Sequence, residues 1–271
     1  MYRFFRPIYF EIGKYFYYLF KNKEFRNYCY YDARYGHLPR YNDGKTKLNG
    51  KDFYFSDAAS FLSSYKEIFV EKIYRFKFGT DSPKILDIGA NIGVSVCFFK
   101  TLFPNSSILA YEADPKIFAY LEKNIDIAGF RNVQLKNEAV WNENGMISFF
   151  SEGADGGMID EANNRNMIKV NTVDIKDILK KNQFDLVKID IEGAESVVLP
   201  ECKDYLNTVK YIFIEYHSVV SKKQNLSELF SILESNGFRI HMHSIFKSRS
   251  PFTLVKTNNS FDMQINIFGW K

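Results

Sequence analysis

Cysteine is scarce in this chain. Three occur among 271 residues, Cys29, Cys97 and Cys202, widely spaced and with no Cys-x-x-Cys pair. That leaves no zinc-ligand pattern and no disulfide framework, and a sparse, odd set is the usage of a reducing compartment. No apolar run approaches the roughly 18 residues of a membrane span. A secretory leader is not expected, because Arg3 and Arg6 are followed by a segment broken by Glu11 and Lys14. These absences point to a cytoplasmic protein. Charge of one sign is also short: 36 Lys and Arg against 32 Asp and Glu leave a net charge of +4, which compels no nucleic-acid partner. There are no internal repeats and no low-complexity tract. The excess lies in aromatics, 27 Phe and 18 Tyr. Hydrophobic content of 46% and charged content of 25% suit a globular protein, and the length suits one α/β domain with an added segment.

Residues 1–80 form that added segment, rich in Tyr and Phe interleaved with Arg and Lys over the first 35. Asn49-Gly50 reads as a hairpin turn. Ser60 to Phe78 has helical spacing at Phe61, Tyr65, Ile68, Phe69, Lys72 and Ile73. From Asp81-Ser-Pro83 onward strands and helices alternate, which predicts a mostly parallel sheet covered on both faces over residues 81–271. Asp114-Pro115 reads as an N-cap with Pro at N1, the following helix runs to Gly129, and Gly237 caps a helix from Leu226 to Asn236. Gly153 to Asn166 reads as a polar loop.

The most informative stretch is Lys84-Ile-Leu-Asp87-Ile-Gly89-Ala-Asn91-Ile-Gly93. An apolar strand ends near an acid, small residues make a turn, and a helix begins. A dinucleotide fingerprint needs glycines at relative positions one, three and six; here they are Gly89, Asn91 and Val94. An acid at this strand end would repel a pyrophosphate but suits the ammonium and sulfonium of S-adenosylmethionine. Glu112, at the end of the strand-like Ser107–Tyr111 and 23 residues past Gly89, has the spacing of an acid that reaches ribose hydroxyls. Glu138-Ala139-Val140-Trp141 follows the third strand and would lie near the adenine if the first two strands hold the ribose, with Trp141 packing on the sheet or, second, against the base.

Asp87, Glu112, Asp190 and Glu215 all end strand-like runs, and ligands of open parallel sheets sit outside the carboxyl ends of the strands. Lys188-Ile-Asp190-Ile-Glu192-Gly193-Ala-Glu195 places three acids and a glycine at a strand-to-helix turn. One carboxylate could take a proton from a substrate hydroxyl, or two could hold a divalent ion; Glu192 and Glu195 also suit a helix's first turn. His217 lies two residues beyond Glu215, on the same side in extended geometry, and titrates near neutrality. His241 and His243 share a face with no acid beside them and read as structural or exposed.

These segments, with Asn137-Glu-Ala139-Val140 and the strand Ile212–Glu215, resemble the FkbM-type S-adenosylmethionine-dependent methyltransferases over roughly residues 60 to 220. The resemblance implies a Rossmann-like class I methyltransferase fold of seven strands with the last antiparallel, Met263–Phe268 being the candidate for it. It implies O-methylation of sugar hydroxyls in surface glycans or their precursors, or of natural products. Carried over by position, Asp87, Gly89, Asn91, Gly93, Glu112 and Ala139 would bind S-adenosylmethionine, and Asp190, Glu192, Glu215 and His217 would face the acceptor. No residue is assigned to a metal. The chain lacks the Asn/Asp-Pro-Pro-Tyr/Phe segment of base amino-methylases, so nucleic acid is not expected as a substrate. The aromatic-basic N-terminus admits a peripheral contact with the inner face of a membrane, or a partner-docking role.

Overall fold

The computed structural model describes residues 13, 16–150, 167–245, 250, 252–253 and 261–271. Its centre is a seven-stranded sheet in the order β11-β12-β10-β9-β3-β4-β5. The strands are β3 (Lys84–Ile88), β4 (Ser107–Tyr111), β5 (Val133–Lys136), β9 (Leu186–Ile189), β10 (Tyr211–Val219), β11 (Arg239–Ser244) and β12 (Phe261–Trp270). β12 runs antiparallel to both neighbours, and every other pairing is parallel. This order, with the final strand reversed between β10 and β11, is the one the resemblance implies. The chain goes outward from β3 to β4 and β5, then returns to place β9 on the other side of β3. Residues 87 and 188 are therefore opposite one another at the switch point, where open sheets bind ligands.

Both faces are covered, so the central strands are apolar apart from the paired Asp87 and Lys188, and β9 is buried throughout. On one face pack α3 (Val94–Leu102) and α4 (Pro115–Ala128), on the other α5 (Ile175–Lys181), α6 (Glu195–Glu201) and α7 (Leu226–Ser235). The predicted caps are in place. Asp114 Oδ1 accepts from the N–H groups of Lys116 and Ile117 at 2.8 and 3.3 Å, with Pro115 at N1, and Gly129 ends α4 in the left-handed region. Beside the main sheet stands a three-stranded one, β6 (Ala139–Trp141), β7 (Gly145–Phe150) and β8 (Met167–Asp174), in the order β6-β8-β7. The loop read at Gly153–Asn166 lies outside the described residues.

The N-terminal segment contributes α1 (Lys23–Tyr35), the hairpin β1 (Gly44–Leu48) and β2 (Lys51–Phe55) around Asn49-Gly50, and α2 (Ala58–Tyr65). Its aromatics belong to the same buried cluster as α3 and α4. Tyr65 stacks on Phe69 at 5.0 Å, Phe55 on Phe61 at 5.2 Å, and Phe69 meets Phe98 of α3 edge-on at 5.3 Å. Asn124 of α4 ties the hairpin down, donating to the Tyr54 carbonyl at 2.8 Å and accepting from its N–H at 2.7 Å. The continuous helix expected over 60–78 is shorter. After Tyr65 the chain makes a π-helical turn, Lys66–Glu71, and Lys72 ends it at φ +59°. The wider turn changes the phase of the apolar pattern, which spacing alone does not reveal.

Candidate functional site

A cavity of about 330 Å³ opens over the carboxyl ends of β3, β4, β9 and β10, within the range of small-molecule sites. Its floor is the turn after β3. Gly89 sits at φ +82°, and a Cβ there would lie 1.8 Å from the Asp190 carbonyl oxygen, so only glycine lets the β3 turn approach β9 this closely. Asn91 follows at φ +48°. Its N–H donates to Glu112 Oε2 at 2.9 Å, and the Asp114 N–H donates to Glu112 Oε1 at 2.9 Å. Burial pushes the Glu112 carboxyl up to about 7 despite those two donors. Gly89, Asn91, Glu112 and Ala139 line the cavity.

Asp87 and Gly93 do not line it. Asp87 is fully buried beneath the turn, where Ser95 Oγ donates to its Oδ2 at 2.6 Å and Lys188 Nζ lies 3.2 Å from its Oδ1. Its charge is met by the protein's own cation. Gly93 is the N-cap of α3, packed toward Leu121.

Lys188, which the motif spacing leaves without a role, stands between Asp87 and Asp190. Only 2% of it is exposed, in the middle of β9. Its ammonium lies 3.4 Å from Asp190 Oδ2 and donates to the Gly89 carbonyl at 2.7 Å. Burial alone would lower its pKa; Asp87 and Asp190 more than reverse that and hold it up. The signal was a lysine inside an apolar strand run, where an unpaired charge is not tolerated.

The β9 and β10 ends carry a dense set of ionisable groups. Asp190, Glu192 and Glu215 line the cavity. His217 lies just behind them, 2% exposed, with Nε2 3.3 Å from Glu192 Oε2 and 3.5 Å from Glu215 Oε1, and Nδ1 3.3 Å from Glu195 Oε1. Glu195, at the first position of α6, accepts from the N–H groups of Ile191 and Gly193 and acts as a capping acid. Glu192 is not in the helix; it precedes it at φ +52°. Burial raises the Glu192 carboxyl, and Asp190 adds to this while His217 opposes it. Burial likewise raises Glu215, with Asp190 contributing. For His217 burial works downward, but Glu192 and Glu195 overcome it and hold the imidazole well above its ordinary value. The Gln264 side chain of β12 donates to Glu215.

The N-terminal segment supplies a wall that sequence reasoning missed. Ser63, Ser64, Glu67 and Tyr74 line the cavity. Burial, then Asp190, push the Glu67 carboxyl up to about 7. His241 and His243 are exposed on β11 and take no part.

The arrangement fits S-adenosylmethionine. The turn brings backbone close without a side chain, and the surrounding acids suit a cationic ligand. The Methyltransferase FkbM domain model matches residues 87–240, more than half of the chain. Among similar proteins, Methyltransferase 1 of Beauveria bassiana is 25% identical over 65% of this chain and 80% of its own length. The 2-O-methyltransferase NoeI of Sinorhizobium fredii is 28% identical over 49% of this chain and 63% of its own. The hexuronic acid methyltransferase AglP of Haloferax volcanii is 25% identical over 51% and 57%. The chain belongs to the FkbM methyltransferase family and is an S-adenosylmethionine-dependent methyltransferase.

Proposed function

We propose that this protein methylates a sugar hydroxyl of a surface glycan or its precursor. The observation that carries the reading is the grouping of Asp190, Glu192 and Glu215 on the cavity wall next to the Gly89 turn. One similar protein is named as a 2-O-methyltransferase and another as a hexuronic acid methyltransferase, which supports transfer to oxygen and a carbohydrate acceptor over a natural product.

S-adenosylmethionine supplies the methyl group when bound. Gly89 and Asn91 would form the floor under it, Glu112 would accept from its ribose hydroxyls, and Ala139 would lie near its adenine. Asp87 acts from below, fixing Ser95 and Lys188, and Gly93 starts α3. The acceptor hydroxyl lies toward β9 and β10. A sugar hydroxyl stays protonated at neutral pH, so its proton must leave as the new O–C bond forms. Glu215 takes that proton: it faces the cavity, and no backbone donor occupies it among the described contacts. Asp190 and Glu192 orient the hydroxyl, and His217 positions Glu192 and Glu215 from behind. Much of the rate comes from alignment of the two reactants.

The test is turnover with labelled S-adenosylmethionine against nucleotide sugars and glycan acceptors. Glu215→Gln should lower kcat roughly 10²–10⁴-fold with cofactor affinity kept. Near-normal turnover would remove Glu215 from the base role, and transfer only to non-carbohydrate hydroxyls would overturn the substrate reading.

A cytoplasmic enzyme of this kind meets lipid-linked glycans at the inner membrane face. The exposed Phe16, Tyr17 and Phe20 support peripheral contact there, and no helix among the described residues is long and apolar enough to cross a membrane. Co-sedimentation with anionic vesicles should weaken when these three are changed to Ser; unchanged co-sedimentation counts against the contact.

A further inference from the structure

We propose that the β9–β10 end of the cavity binds a divalent cation, with Asp190, Glu192 and His217 as its ligands. The inference deepens the methyl-transfer reading and rests on it. One ligand atom from each of the three residues lies within 4.8 Å of the others.

The imidazole is the informative group. His217 Nδ1 faces Glu195 Oε1 at 3.3 Å, and Glu195 is itself fixed by the N–H groups of Ile191 and Gly193. In the neutral ring the proton therefore sits on Nδ1, and Nε2 presents its lone pair. That nitrogen is buried without a hydrogen-bond partner, facing oxygens of Glu192 and Glu215. Nε2 and two carboxylate oxygens at contact distance need a cation among them, which is the second proton of the charged ring when the ion is absent and the ion itself when it is bound. A carboxylate that holds one ring nitrogen so that the other can ligate is the usual outer support of a metal-bound histidine.

Charge points the same way. Asp87, Asp190, Glu192, Glu195 and Glu215 cluster here, and Lys188 is committed to the first two. Even with a charged His217 and the one net positive charge of the cofactor, the five carboxyl groups outnumber the cations. The side chains of Asp190 and Glu192 remain 24% and 22% exposed, so coordination positions open toward the cavity. Two carboxylate oxygens and one imidazole nitrogen suit a first-row ion such as Mn²⁺ better than Ca²⁺, which prefers an all-oxygen cage. The ion would bind the acceptor oxygen and make its proton easier to lose. The O–H bond breaks toward Glu215 while the oxygen takes the methyl group and S-adenosylhomocysteine leaves.

The experiment uses the full chain, stripped with a chelator and titrated with Mn²⁺ alone, followed by electron paramagnetic resonance, with S-adenosylhomocysteine calorimetry alongside. One Mn²⁺ per chain is expected for the wild type and for Glu201→Gln, whose partner is Lys176. Affinity should fall more than about tenfold in Asp190→Asn, Glu192→Gln and His217→Gln, and also in Glu195→Gln, which only positions the ring. His217 is buried and its variant could misfold, so the partly exposed Asp190 and Glu192 variants decide. Absent or unaltered Mn²⁺ binding overturns the ion. If S-adenosylhomocysteine still binds, the methyl-transfer reading stands without it. A wild type that takes Mn²⁺ but no S-adenosylhomocysteine keeps the ion and counts against that reading.

Discussion

At the β3–β4 end of the cavity the chain presents backbone. Gly89 and Asn91 in left-handed conformations shape the floor, and one carboxylate, Glu112, is held by two N–H donors. At the β9–β10 end it presents side chains, with Asp190, Glu192, Glu195 and Glu215 packed about His217 and Lys188. The first end can dock a ligand whose shape is constant, because its floor is backbone and Glu112 is the carboxylate it offers. The second concentrates charge where burial shifts proton affinities, as acid–base chemistry requires. Lys188 joins the two, touching Asp87 below the turn, Gly89 in it and Asp190 across it.

Breaking that joint should have the largest effect. Lys188→Met leaves Asp87 buried with only Ser95 and should destabilise by about 3–5 kcal/mol, read by denaturant unfolding. Adding Asp87→Asn should recover part of the loss, and a strictly additive double variant would contradict the pairing. Gly89→Ala comes next. Strain at positive φ and overlap with the Asp190 carbonyl should cost roughly 2–4 kcal/mol and abolish S-adenosylhomocysteine binding. Wild-type affinity in that variant would mean that the two ends are not in contact.

The β3–β4 end was legible in the sequence because its geometry is set by local spacing. A strand, a turn of small residues and a second strand put Glu112 beside Asn91 whatever the rest of the chain does. The reversed last strand also followed from the resemblance. Position was less legible than identity. Asp87 reads as a ligand-facing acid, yet in β3 it lies opposite Lys188 and is neutralised from below. His217 reads as a possible base, yet it sits behind the wall, and its link to Glu195 spans 22 residues of sequence. Glu67 and Tyr74 were hidden because the π-helical turn shifts the apolar phase that spacing reads as continuous helix.

A smaller effect sharpens the contrast by pH. Glu112 has its carboxyl raised to about 7, chiefly by burial. Its ionised form accepts hydrogen bonds, and the protonated form loses that capacity as pH falls through 7. S-adenosylhomocysteine affinity should therefore drop roughly tenfold from pH 8 to pH 6. Glu112→Gln should flatten the profile, and an unchanged slope in that variant would assign the titration elsewhere.

The division of labour between the two ends is tested most directly by calorimetric titration of S-adenosylhomocysteine into the wild type, Glu112→Ala and Glu192→Gln. The account predicts clear binding by the wild type, a loss of about tenfold or more in Glu112→Ala, and affinity near wild type in Glu192→Gln. Equal loss in both variants, or loss only in Glu192→Gln, would contradict it.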